Sequence, residues 1–213
     1  QSLAAVSRNL GRLQEAETHI DEALRYLDGM TEREQHNTRG MKFRLTGDYE
    51  QCVTSYGQLI TRYAADIIGH NQLALCLTKL RRMGEAVNEM RRIVEILPNL
   101  PLFRTNLSWY ASYAGDFATA EQEARAIPDP DVFATHALAF AQLGQGQLDG
   151  ATATYQSLSA FGPHGVSMAT SGLADLAVYQ GRFSDAARLL EEGAAADLKT
   201  KQPDSAAAKL TSL

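Results

Sequence analysis

Cysteine, basic runs and long apolar stretches are all scarce in this chain. Two cysteines occur, Cys52 and Cys76, and neither belongs to a C-x-x-C pair. That excludes a disulfide-rich scaffold and a four-cysteine zinc site. The two read as small core residues in a reducing compartment, with a bond between them the lesser alternative. No uninterrupted apolar stretch reaches the roughly 20 residues that a membrane-crossing helix needs. Acidic residues outnumber basic ones, 25 to 20, and the net charge is −5. The charges are scattered, so neither a nucleic-acid-binding stripe nor a polybasic membrane anchor is expected. The stretch from Gln1 to Gly11 has no apolar core and does not resemble a secretion signal. The chain therefore reads as cytoplasmic, and as a piece of something longer.

Catalytic signatures are equally thin. His19, His36, His70, His136 and His164 include no pair at helical ligand spacing, so no metal and no cofactor is expected. Gly144, Gly146 and Gly150 follow a helical pattern, not a strand, which rules out a dinucleotide loop. Asn106-Leu107-Ser108 is a glycosylation sequon that falls mid-helix, and reads as chance. No kinase H-R-D or D-F-G motif occurs, and no Ser/His/Asp or Cys/His arrangement stands out. The expectation is a protein that is not an enzyme.

What the chain does have is a recurring phrase. It reads LGRLQEA (10–16), TGDYEQC (46–52), LRRMGEA (80–86), AGDFATA (114–120), QGQLDGA (145–151) and QGRFSDA (180–186). The last position is always small: Ala16, Cys52, Ala86, Ala120, Ala151 and Ala186. Three residues earlier stands a large apolar residue: Leu13, Tyr49, Met83, Phe117, Leu148 and Phe183. Five residues before the small one is glycine, except in the third copy, which has Arg81.

The phrase has a physical reading. Glycine ends one helix in a left-handed conformation. A polar residue such as Asp116 or Ser184 caps the next. The large apolar residue staples the new helix to the old, and the small residue lets two helix axes approach. Apolar residues at helical spacing flank each turn, and no alternating strand pattern appears. The chain is expected to be all-α, built from antiparallel helix pairs. The prolines in Ala126-Ile127-Pro128-Asp129-Pro130 predict an early end to one helix.

This phrase resembles the tetratricopeptide repeat, a helix–turn–helix unit of about 34 residues. Gly40, Ala74, Ser108, Ala139 and Ala174 fill its small position eight, and Pro98 and Pro163 fall on its closing proline. The resemblance implies a right-handed superhelical solenoid. Its units would span 1–30, 33–66, 67–100, 101–131, 132–166 and 167–200, with a Pro-started, Asp-capped helix over 202–213. Parts of the chain are also similar to the C-terminal repeat regions of bacterial eukaryotic-like serine/threonine kinases and related signalling proteins.

The resemblance further implies that inward positions of each first helix line a concave groove. In this sequence they include Asn37, Met41, Arg44, Asn71, Leu75, Trp109, His136, Phe140, Ser171 and Asp175. Trp109 and Phe140 occupy one repeat position, either as ligand anchors or packed against neighbouring helices, while Tyr113 is expected to pack in the core. No lysine occurs at unit position five, so a lysine clamp for a carboxylate tail is not expected. The implied function is a non-catalytic scaffold binding a peptide or partner protein. The alternative is a regulatory or sensory region acting by small-ligand binding or by self-association through the terminal helices.

Overall fold

A computed structural model describes residues 2–212. The described chain is all-α and divides into two compact units, Gln1–Asn99 and Leu100–Leu213. The first unit contains α1 (Ser2–Asn9), α2 (Leu13–Leu24), α3 (Glu32–Thr46), α4 (Tyr49–Arg62), α5 (Ile67–Lys79) and α6 (Met83–Ile96). The second contains α7 (Pro101–Tyr113), α8 (Phe117–Arg125), α9 (Val132–Gly144), α10 (Leu148–Ser157), α11 (Gly162–Tyr179), α12 (Phe183–Lys199) and α13 (Pro203–Leu210). Within each unit successive helices pack as pairs, with first helices also packing on first helices, as α7 does on α9 and α9 on α11. This is the tetratricopeptide-type packing of a helical solenoid.

One backbone motif builds every pair. Gly11, Gly47, Gly115, Gly146 and Gly181 all adopt φ between 73° and 81°. The next residue's N–H reaches back five residues to a helical carbonyl at 2.8–2.9 Å, as from Asp48 to Phe43 and from Asp116 to Ala111. That bond satisfies a carbonyl which the helix end would otherwise orphan. The third copy makes the same bond, Arg82 to Leu77 at 2.9 Å, although Arg81 must take φ 61° to do so. A seventh turn, unseen in the sequence, does likewise: Lys201 takes φ 61° and Gln202 bonds Asp197 at 2.8 Å.

The six small residues are all buried, and Ala206 continues their series after the seventh turn. The large apolar residue behaves less uniformly than a staple should. Phe117 packs beneath Gly144 of α9, where an added Cβ would lie 2.3 Å from its ring. Leu13 and Phe183 stay exposed. The residue is therefore at most half-buried, as Tyr49, Met83, Phe117 and Leu148 are.

Other local expectations divide. Asp48, Asp66, Asp116 and Asp131 each cap a helix by accepting a backbone N–H. Ser184 lies inside α12, whose cap position is Arg182, and no side chain caps that helix. Pro98 follows the end of α6, but Pro163 opens α11 instead of closing a helix. α8 ends at Arg125, ahead of the two prolines. Pro203 starts α13, while Asp204 sits in its first turn behind the cap position, Gln202; Leu213 lies outside the described residues. Cys52 and Cys76 are bonded to each other between α4 and α5, with Cα atoms 6.2 Å apart. This corrects the reading of two separate thiols, because the small position that lets the helices approach also brings the sulfurs together. No described helix is long and apolar enough to cross a membrane.

Candidate functional site

In the second unit, α7, α9 and α11 present a shared face. Trp109 on α7 and Phe140 on α9 meet with ring centroids 5.6 Å apart. Tyr113, one turn beyond Trp109, stacks on it at 5.9 Å and lies 6.1 Å from Phe140. His136 approaches Trp109 edge-on at 5.1 Å. Four rings from two helices thus form one continuous aromatic surface. Trp109, Phe140 and His136 are half-buried. Tyr113 is 58% exposed, which corrects the expectation that it packs in the core. Its neighbours lie to one side only, so half of its ring faces solvent.

Beneath these rings lies Tyr155 of α10, fully buried, its ring 5.8 Å from His136. It reaches this place because Gly172 of α11 has no side chain. A Cβ there would stand 2.2 Å from the tyrosine ring. The Tyr155 hydroxyl has no hydrogen-bond partner among the described residues. Burial and the nearby Asp175 carboxylate hold its pKa well above the ordinary phenol value. Sequence reasoning missed this residue. Its signal was position, since it follows the small Ala151 by four, as the buried Tyr56 follows Cys52.

The electrostatics of the face are simple. Burial pushes the pKa of His136 down to about 4, so the ring is neutral at physiological pH. Asp175 keeps an exposed edge, yet burial of the rest of it raises its pKa above the usual aspartate value. Ser171, half-buried on α11, turns its hydroxyl back to the Ser167 carbonyl at 3.4 Å. The face therefore offers broad apolar area and one carboxylate, with no group arranged as nucleophile and base.

The remaining anticipated residues belong to the first unit. Asn37, Asn71 and Leu75 are half-buried. Met41 is buried against Ala4 and Ile20 and serves the core. Arg44 is buried as well, and its Nε has no partner. Sequence reasoning also overlooked a cavity of about 570 Å³ in the second unit, lined by Ala124, Ile127, Ala134, Leu138, Thr154 and Phe161 among others. It opens where α8 stops short.

Comparison with known proteins agrees with this architecture. Residues 171–210 and 132–157 match family profiles for the tetratricopeptide repeat. A tetratricopeptide repeat protein from Parabacteroides merdae superposes with a TM-score of 0.70 at 17% identity, covering 98% of this chain and 88% of that one. A MamA protein gives 0.64 at 13% identity, over 80% of this chain and 94% of that one. MamA from Desulfovibrio magneticus RS-1 gives 0.56 at 14% identity, over 86% and 93%. At such identities the likeness is one of fold. No curated protein matches this sequence.

Proposed function

We propose, for this tetratricopeptide-repeat chain, that the α7–α9–α11 face holds a peptide segment of a partner protein, and that the chain is a non-catalytic scaffold. The observation that carries the reading is the contiguous surface of Trp109, Tyr113, His136 and Phe140. Aromatic rings at a surface supply large contact area with few torsions to freeze. Here they are fixed further by one another, so little ordering remains to be done on binding. Asp175 occupies in α11 the repeat position that Trp109 and Phe140 hold in the two preceding repeats, and gives the row a polar end.

The test is selection of binders from a random peptide library against the whole chain. Trp109→Ala combined with Phe140→Ala should weaken the selected peptides at least tenfold, about 1.4 kcal/mol, while far-UV circular dichroism stays unchanged. Trp109 is the only tryptophan in the chain, so its indole resonance also reports occupancy directly. Undiminished affinity in the double variant, or binding that leaves the indole resonance unmoved, sinks the assignment to this face.

A further inference from the structure

Arg44 is an anomaly in the first unit. It is only 9% exposed, yet its guanidinium makes no hydrogen bond and no ion pair with any described residue. A buried charge is ordinarily paired, since its desolvation otherwise costs several kcal/mol. Instead of a carboxylate, the charge closest in effect is another arginine, Arg8, which together with burial depresses the Arg44 pKa. Among the described residues, the Tyr56 and Tyr49 hydroxyls act on it in the opposite sense.

The fold explains the juxtaposition. Ala4 of α1 and Met41 of α3 lie in one buried cluster with Ile20 of α2. Arg8 lies one helical turn beyond Ala4, and Arg44 one turn beyond Met41, each on the same face as its predecessor. The two arginines are 36 residues apart, the same step that separates the first two copies of the repeated phrase. They therefore stand at one repeat position on the first helices of consecutive pairs. Arg8 is half-buried and has no side-chain partner among the described residues either. The Arg44 Nε is sealed from solvent and unpartnered, so a ligand would meet the outer end of the guanidinium.

We propose that Arg8 and Arg44 form a binding site for a doubly charged oxyanion of phosphate size, distinct from the aromatic face of the second unit. Two guanidiniums supply two positive charges and planar donor forks that match tetrahedral oxyanions. A dianion neutralises both, which a single carboxylate does not. The free protein keeps an unpaired charge at a cost in stability, as binding sites do when their electrostatics await a ligand.

The test uses the whole chain with inorganic phosphate as the probe, against chloride at equal ionic strength. Phosphate should raise the melting temperature saturably, by about 3 °C at ten times its Kd. Arg8→Gln should lower the phosphate affinity at least tenfold. Arg44→Met should abolish the response and, because it removes an unpaired buried charge, should melt higher than the parent in phosphate-free buffer. A structural arginine gives the opposite result. An Arg44→Met chain that melts lower or fails to fold therefore overturns the proposal, as does a response identical in phosphate and chloride. The blocked amino acid N-acetyl-phosphoserine amide is the second arm. Tighter binding than phosphate identifies a phosphorylated side chain as the source of the oxyanion, and weaker binding identifies the free ion; both require Arg8 and Arg44.

Discussion

At the scale of single residues, the clearest lesson is that a backbone conformation outlives the residue that best suits it. Five of the repeated turns use glycine at positive φ, while Arg81 and Lys201 adopt φ 61° in its place. The hydrogen bond that closes each turn is preserved at both. A residue with a Cβ in this region is strained by roughly 1 kcal/mol or more. Among the described residues Arg81 makes no ion pair that would offset the strain, whereas its neighbour Arg82 bonds Glu85 at 2.6 Å. Arg81→Gly should therefore stabilise the first unit by about 0.5–1 kcal/mol, after allowing for the extra freedom of glycine in the unfolded chain. Urea denaturation checks this, and a lower midpoint would show that Arg81 contributes something that the turn geometry does not reveal. The same scale shows what was legible beforehand. The small positions were, because a helix crossing tolerates few side chains, and all six are buried. Tyr113 was not, because spacing gives the helix face but not whether a further helix covers it.

At the scale of elements, α13 shows how a helix without a large apolar face is held. Its Lys209 ammonium donates to Asp197 of α12 and to Ser167 of α11, each at 2.6 Å, and Ser167 donates to the same Asp197 oxygen at 3.0 Å. Lys209 and Asp197 are both 3% exposed. Gly193 makes room for the lysine stem, since a Cβ there would lie 3.0 Å from its methylene carbons. The sequence announces a proline-started helix here, but not this network, because its members are 12 and 42 residues apart and each alone looks like a surface residue. Removing one partner strands a buried charge. Asp197→Ala should cost about 3–5 kcal/mol and expose the α13 amides to hydrogen exchange. The triple replacement Ser167→Ala, Asp197→Leu and Lys209→Met should restore most of that stability, because buried ion pairs seldom outperform apolar packing. If Asp197→Ala leaves α13 protected, the helix is held by packing of Ala206 and not by the ion pair.

At the scale of the whole molecule, the repeat pattern made the fold legible because every pair is built from contacts local in sequence. The division into two compact units was not legible, because the phrase runs on in step from Leu80 to Ala114 with no change of composition to mark a boundary. Pro128 and Pro130 mark the early end of α8, whereas the units divide at Asn99 and Leu100, where the repeated phrase shows no break. That position gives the aromatic face a definite owner. Trp109, Tyr113, His136, Phe140, Tyr155 and Asp175 all follow Leu100, and so do the core residues beneath them, among them Ala139, Leu143, Leu158 and Leu176. A fragment of residues 100–213 should therefore fold alone, with helical circular dichroism and a cooperative melt. It should bind library-selected peptides within about threefold of the intact chain, a difference of about 0.6 kcal/mol. The inorganic phosphate response should be missing from the fragment, since Arg8 and Arg44 lie outside it. An unfolded fragment would mean that the second unit's stability depends on residues before Leu100. A folded fragment that has lost peptide affinity would place essential contacts in the first unit and redraw the site.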